Sequence, residues 1–153
     1  MKEKRFFLSI IIIGYNTSRA LKKCLHSLNL QKLDGFDAEI IYVDDGSIDD
    51  SVKIFKNFPL NYHKELVIHN NNLGRNHARN SGIKKAQGLW CFFTNSNIEL
   101  EENILKNYIN FCTQSNAIGF VGPVFYTCND KRFENYLNKS WRGVLKLKSG
   151  DVV

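Results

Sequence analysis

The chain has 153 residues, of which 43% are hydrophobic and 24% are charged. This length and composition exclude a disordered or fibrous protein and predict one globular domain over residues 1–153. The net charge is +6, and basic residues cluster at 2–5 and 139–148. No nucleic-acid motif accompanies these clusters, so we expect solvated surface charge and no nucleic-acid partner. Weak attraction to an anionic membrane surface is the second interpretation.

The cysteines and the start of the chain indicate the cellular setting. Cys24, Cys91, Cys112 and Cys128 form no C-x-x-C pair, and we interpret the first three as small core residues. We therefore expect a cytoplasmic protein. If its basic clusters attract anionic lipid, the protein would associate peripherally with the inner face of the membrane. The apolar run after the first basic cluster is β-branched and leads into an amphipathic helix, so it predicts a strand rather than a signal peptide. No stretch is long enough to span a membrane.

Strand patterns and helix patterns alternate along the chain. Five strands are predicted, at about 6–13, 38–43, 66–69, 89–93 and 117–121. Helices are predicted after the first four strands, beginning near Thr17 or Ser18, Ser51, Arg75 and Glu101. The side chain of Thr17 or Ser18 is expected to cap the first of these helices. This alternation predicts an α/β fold with a mostly parallel sheet and right-handed crossovers.

Two predicted helices carry specific packing expectations. Leu21, Cys24, Leu25 and Leu28 recur at helical spacing after the first strand, which predicts the buried face of that helix. The helix over about 75–87 is expected to place Ala78, Ile83 and Ala86 inward and to end at Gly88. Past Gly122 the pattern weakens, and 123–153 is predicted to be a partly extended tail.

Two adjacent aspartates, Asp44 and Asp45, follow the second predicted strand and precede a Gly-Ser pair. Paired carboxylates repel each other and resist desolvation, so they persist where something useful is bound. In an open α/β sheet that place is the crevice beyond the carboxyl ends of the strands. Such carboxylates can accept hydrogen bonds from a base or ribose, or hold a cation. The alternative is an Asp-Gly turn in which Asp49 or Asp50 caps the next helix.

Three further segments place polar residues beyond a strand or at the start of a helix. They are Tyr15-Asn16 after the first strand, the Asn-rich segment 70–82 and the segment 88–97. Tyr15 could stack on a base, the alternative being an ordinary half-buried tyrosine. Arg79 offers donors for a base carbonyl or a phosphate, the alternative being a surface cation.

Together and in this order, these segments resemble the family 2 glycosyltransferases, whose nucleotide-sugar-binding domain has the GT-A fold. The resemblance covers about residues 6–112 well. It implies that Tyr15 lies against the base, that Asp45 accepts hydrogen bonds from it, and that Arg79 approaches the base or ribose. Gly74 would allow close approach of the backbone. Asp44 is interpreted either as a turn residue or as a residue that supports those in contact with the ligand.

The chain departs from the family pattern at Asn95 and Asn97. The resemblance implies an Asp-x-Asp element here, whose carboxylates hold a Mg²⁺ or Mn²⁺ ion across the donor's two phosphates. Two neutral amides predict much weaker metal binding. Three outcomes stay open: weak binding helped by the donor phosphates, a leaving group met by Arg75 or Arg79 instead, or loss of catalytic function.

The resemblance implies inverting transfer of a sugar from a UDP-type donor to a glycan or lipid-linked acceptor, as in polysaccharide biosynthesis. Such transfer needs a general base, which the family carries further along than this sequence extends. Asp130, Glu134 and Asp151 are the only acids after Glu102, and none stands in the family's context. We therefore expect the donor-binding portion of a GT-A domain, incomplete on its C-terminal side. The alternative is a non-catalytic nucleotide-binding or partner-binding module of the same fold.

Overall fold

In a computed structural model of the protein, residues 5–114 are described. The predicted strand at 117–121, the tail at 123–153, Cys128 and the acids Asp130, Glu134 and Asp151 lie outside the described residues. Strands and helices alternate as predicted. In chain order they are β1 (Phe6–Gly14), α1 (Ser18–Asn29), β2 (Ala38–Asp44), α2 (Ser51–Asn57), β3 (His63–Ile68), α3 (Arg75–Lys85), β4 (Gly88–Asn95) and α4 (Ile104–Gln114).

The chain divides into two compact units, Met1–Tyr108 and Ile109–Val153. All four strands and the first three helices belong to the first unit. Of the second unit, only the last residues of α4 are described.

The four strands form one parallel sheet in the order β3-β2-β1-β4. Ile11 of β1 pairs with Ile41 of β2 on one side and with Phe93 of β4 on the other. The order therefore reverses at β1, since β2 and β3 lie to one side of it and β4 to the other. In open α/β sheets this reversal leaves a crevice at the carboxyl ends of the strands. The predicted α/β class and parallel sheet are confirmed.

Both faces of the central strands are covered, which explains their nearly continuous apolar sequence. Every residue of β2 is buried. Ile10 and Ile12 point to the face packed by α1, whereas Ile11 and Ile13 point to the face that contains Ala78 of α3. The predicted apolar face of α1 is fully buried, at Leu21, Cys24, Leu25 and Leu28.

The packing of α3 differs from the prediction. Ala78 is buried, but Ile83 is 47% exposed. Gly82 is buried instead, and a methyl group there would overlap Ile11 Cγ2. The helix backbone therefore approaches the sheet closely at the glycine, which turns the next residue outward.

The strand edges also differ from the prediction. Cys91 is exposed rather than in the core, and Leu89 on the same side of β4 is 63% exposed, because β4 is the outer strand of the described sheet. Strand β3 ends at Ile68, so His69 lies beyond the strand in which it was predicted. Within residues 5–114, the helices are too short or too polar to cross a bilayer.

Candidate functional site

The segment that follows β1 and the segment that follows β2 are hydrogen-bonded to each other at the carboxyl edge of the sheet. Asn16 N–H donates to Ser47 Oγ at 2.9 Å, and Ile48 N–H donates back to Asn16 Oδ1 at 2.9 Å. Thr17 N–H donates to Ser51 Oγ at 3.1 Å. Loop amides that would otherwise need water are thereby satisfied within the protein. The two loops form one platform beside the crevice.

Asp49 caps two helices at once. Its Oδ2 accepts the Ser18 N–H of α1 at 2.9 Å, and its Oδ1 accepts the Ser51 N–H of α2 at 3.0 Å. Burial raises the pKa of this carboxyl, but the hydrogen bonds from Ser51 and Ser18 outweigh that effect and lower the pKa to about 2. Of the two predicted caps for α2, Asp49 rather than Asp50 accepts the hydrogen bond.

The prediction that Thr17 or Ser18 caps α1 with its own side chain is wrong. Thr17 occupies the N-cap position, but its side chain makes no capping hydrogen bond. Its hydroxyl lies 2.8 Å from Ser96 Oγ, beyond β4. Asp49 supplies the missing acceptor from a distant part of the chain.

Asp44 is fully buried and closes the turn after β2, in agreement with its interpretation as a turn residue. Its Oδ2 accepts the Ser47 N–H at 2.9 Å, and the Tyr42 hydroxyl donates to its Oδ1 at 3.3 Å. This carboxylate is therefore satisfied by the protein itself.

Asp45 holds the loop that joins β3 to α3. Its Oδ1 accepts the Leu73 N–H at 3.0 Å, and its Oδ2 accepts the Gly74 N–H at 2.9 Å. His69 Nδ1 lies 2.7 Å from Oδ1. Burial raises the pKa of Asp45, but hydrogen bonds from His69, Leu73 and Gly74 more than offset this and hold the pKa below its ordinary value. Asp45 is therefore ionised at neutral pH and held in one orientation.

His69 is a site residue that sequence reasoning missed. Its Nε2 lies 2.9 Å from Ser81 Oγ on α3, while its Nδ1 faces Asp45. The signal available was a polar residue directly after the apolar β3. Its two partners are 24 and 12 positions away in sequence, so no local pattern could identify them.

The segment after β4 meets β1 through its middle residue. Ser96 is buried, and its N–H donates to Ile13 O at 2.9 Å. A Cβ at Gly14 would lie 2.5 Å from Tyr42 Oη and 2.6 Å from Ser96 Oγ, so only glycine fits there. Asn95 is half-buried and paired in register with Ile13, whereas Asn97 is exposed. The two amides flank a structural serine.

The predicted nucleotide residues lie on neighbouring parts of this edge. Tyr15 is 47% exposed and follows Gly14, whose carbonyl accepts the Asp45 N–H at 2.8 Å. The Gly74 N–H donates to Asp45. Gly74 and Arg79 also line an open pocket, the concave surface of α3, with a volume of about 580 Å³. Leu73, Arg75, Asn76 and His77 complete that surface.

The residues at the predicted metal position fit a tightly held divalent cation poorly. Asn95 and Asn97 offer carbonyl oxygens without charge. Asp44 and Asp45 already accept hydrogen bonds from the protein. Across residues 5–114, no group of three or more His, Cys, Asp or Glu side chains is placed to hold a metal ion.

The fold is an open α/β domain with a crevice at the reversal of strand order, and comparison with known proteins identifies its family. The sequence model of glycosyl transferase family 2 matches residues 9–151. The chain therefore belongs to glycosyl transferase family 2, which confirms the resemblance.

Two relatives illustrate the sequence similarity. The poly(ribitol-phosphate) beta-glucosyltransferase of Bacillus spizizenii is 33% identical over 112 residues, which cover 72% of this chain and 18% of that protein. Glycosyltransferase GlyA of Streptococcus pneumoniae is 31% identical over 123 residues, covering 80% of this chain and 17% of GlyA. The chain thus spans less than a fifth of the length of these two relatives.

Solved structures share the fold. S. aureus TarS 1–349 is 22% identical, with a TM-score of 0.67, over 77% of this chain and 38% of that one. The same protein in complex with UDP-GlcNAc gives a TM-score of 0.65 at 22% identity, over 78% of this chain and 38% of that one. The mannosyltransferase PcManGT of Pyrobaculum calidifontis, in complex with GDP-Man and Mn²⁺, gives a TM-score of 0.64 at 19% identity, over 87% of this chain and 38% of that one. The predicted GT-A fold is confirmed.

Proposed function

We propose that the crevice at the carboxyl edge binds the nucleotide of a UDP-type sugar donor. Tyr15 would lie against the base, Asp45 would accept a hydrogen bond from it, and Arg79 would approach the base or ribose. Gly74, with φ of 90°, would let the backbone come close to the ligand.

One observation carries this proposal: the reversal of strand order at β1. The loop after β1, residues 15–17, and the segment at the end of β4, residues 95–98, border this reversal and are linked by the Thr17 and Ser96 hydroxyls, 2.8 Å apart. Beyond the neighbouring strand, Asp45 is held ionised and oriented. A crevice of this kind, with polar groups along its edge, is where open α/β sheets bind nucleotides.

The reaction we propose is transfer of the sugar, with inversion, to a hydroxyl of a glycan or lipid-linked acceptor. The names of the relatives support glycosyl transfer, and the TarS complex supports a UDP-linked donor. A cytoplasmic location, with peripheral association at the membrane, suits such a donor and acceptor and belongs to the same proposal.

The leaving diphosphate needs positive charge. A divalent ion, where one binds, would neutralise it, but Asn95 and Asn97 would hold that ion only weakly. Arg75 and Arg79 lie in the first turns of α3 and line the concave surface. Their guanidinium groups, together with the positive end of the helix dipole, are the described groups best suited to stabilise the departing phosphates.

Calorimetric titration of Tyr15→Ala tests the nucleotide site. Tyr15 is half exposed, so its removal should leave folding intact while weakening UDP binding about tenfold, because base stacking contributes about 1–3 kcal/mol. The wild type should bind UDP more tightly than AMP or NAD. Leu30→Ala, at an exposed apolar position just after α1, is the matched control. Equal UDP affinity in wild type and Tyr15→Ala would remove Tyr15 from the site.

The second candidate function is a non-catalytic nucleotide-binding or partner-binding module. The neutral amides of Asn95 and Asn97 favour it. It predicts UDP binding without release or transfer of sugar from UDP-sugars, measured with radiolabelled donors and a mixed pool of glycan and lipid-linked acceptors. Transfer that is abolished by Tyr15→Ala would instead establish the enzyme.

A further inference from the structure

His69 bridges two elements that both border the proposed nucleotide site. Its Nδ1 lies 2.7 Å from Asp45 Oδ1, and its Nε2 lies 2.9 Å from Ser81 Oγ. The imidazole is nine-tenths buried, with a side-chain exposure of 10%. A carboxylate only accepts hydrogen bonds, so Nδ1 carries the proton in this contact, and the Ser81 hydroxyl can donate to Nε2. The Asp45 carboxylate therefore selects the tautomer with the proton on Nδ1, and Ser81 holds the other side of the ring.

The hydrogen bonds to Asp45 leave little of its carboxylate unused. An ionised carboxylate has about four acceptor positions, two on each oxygen. His69 and the Leu73 N–H take those of Oδ1, and the Gly74 N–H takes one of Oδ2. Among the hydrogen bonds of residues 5–114, one acceptor position on Oδ2 remains.

We propose that His69 is a positioning residue for base recognition: by filling Oδ1, it makes Asp45 a single, oriented acceptor for one N–H donor. The base with that pattern is uracil, whose N3–H stands alone between two carbonyl groups. The inference rests on the proposed function, because it specifies how the same site selects its nucleotide. His69 acts through Asp45 and needs no contact with the ligand.

The backbone donors alone would not fix the carboxylate as firmly. The Leu73 and Gly74 amides belong to a loop, and loops are the more mobile parts of a domain. The imidazole, in contrast, is held on its other side by a helix residue, Ser81. A group that touches a ligand keeps its geometry when a second group locks its orientation.

The test compares UDP with N3-methyl-UDP, which lacks the donor that Asp45 would accept. Binding of both is titrated to the full chain as wild type, His69→Ala and His69→Asn. The wild type should favour UDP at least about tenfold, since an unpaired buried acceptor is costly. In His69→Ala the ratio should fall to about threefold or less. His69→Asn should restore most of it, because the asparagine amide can donate from near the Nδ1 position. The ratio does not depend on the fraction of folded protein, so a stability loss cannot imitate the effect.

Two further variants complete the experiment. His26→Asn, on the exposed side of α1, is the matched control and should leave the ratio unchanged. Ser81→Ala removes only the second contact of the imidazole and should lower the ratio partially, so it serves if His69→Ala fails to fold. An unchanged ratio in the folded His69 or Ser81 variant, with normal UDP binding by the wild type, would overturn this inference. Absence of UDP binding by the wild type would instead overturn the proposed function.

Discussion

Two polar segments, one after β2 and one at the end of β4, lie at the same edge of the sheet, and their side chains have different roles. In the β2 loop, residues 44–50, three of the four carboxylates, those of Asp44, Asp45 and Asp49, accept hydrogen bonds from backbone amides. In the β4 segment, residues 95–98, the middle residue Ser96 is buried and bonded to β1, and the two asparagines flank it.

The difference shows that the carboxylates of the β2 loop stabilise the fold, whether or not a ligand is bound. Asp49 holds the starts of α1 and α2, and Asp45 holds the loop before α3. Any ligand that binds to Asp45 shares a carboxylate that already stabilises the fold. The β4 segment carries neutral amides at Asn95 and Asn97, and its link to β1 runs through Ser96.

The largest expected effect tests how rigid the β2 loop is. Gly46 has φ of 80°, and a Cβ there would lie 2.5 Å from the Asn71 carbonyl carbon. Gly46→Ala should lower the free energy of unfolding by about 3 kcal/mol, from a strained φ and a clash with backbone that cannot move aside. Urea denaturation measures this loss.

Gly35→Ala is the matched control for that prediction. Gly35 has φ of 89°, but a Cβ added there would meet nothing within 4 Å. Only the conformational cost of about 1 kcal/mol applies there. If both variants lose the same stability, the contact between the β2 loop and Asn71 is not tight.

The next largest effect concerns Asp49. Asp49→Ala should destabilise the protein by about 2 kcal/mol, because the first amides of α1 and α2 both lose their acceptor. The neighbouring Asp50→Ala is the control, since its side chain makes no capping hydrogen bond. Similar losses in the two variants would show that α1 and α2 do not depend on a shared cap.

The same carboxylate predicts the acid sensitivity of the fold. Its pKa is lowered in the folded protein from 3.8 to about 2. A lowered pKa adds stability above the unfolded value, and that stability is lost as the pH falls through the folded value. The wild type should therefore lose about 1–2 kcal/mol between about pH 4 and pH 2 that Asp49→Asn does not lose. Parallel curves of unfolding free energy against pH would contradict this.

Much of the fold can be predicted because its signals are local. Strand β2 is apolar at five of its seven positions, and the face of α1 repeats at helical spacing, so the sequence locates both closely. The carboxyl edge follows from the alternation of strands and helices, which places the ends of parallel strands together.

What could not be predicted depends on contacts between distant residues. Nothing near His69 in the sequence indicates that Asp45 and Ser81 lie on either side of it. Helix α3 likewise approaches the sheet closely at Gly82 because the glycine packs against Ile11, and this packing leaves Ile83 exposed. Local patterns locate elements, but the packing distance between them is set by the tertiary structure.

A smaller effect is expected for the metal at the β4 segment. Mn²⁺ should strengthen UDP binding less than about twofold in the wild type, and about tenfold in Asn95→Asp/Asn97→Asp, where two charges return. Asn97 is exposed, so solvent limits the gain. Titrations of UDP with and without Mn²⁺ measure both values, and Asn107→Asp, on α4, controls for added charge. A large Mn²⁺ effect in the wild type would show that other oxygens complete a metal site.

The smallest effect tests the hydroxyl pair that links the β1 loop to the β4 segment. Thr17 Oγ1 and Ser96 Oγ lie 2.8 Å apart, and one such hydrogen bond contributes about 1 kcal/mol to stability. Thr17→Val and Ser96→Ala should each cost about that much. The double variant should cost little more than either single one, because both changes remove the same interaction. Urea denaturation of the four proteins gives the coupling energy. Additive losses would mean that the two hydroxyls contribute independently to stability, and that the Ser96 N–H and the Ile13 carbonyl, rather than this pair, fix Ser96 to β1.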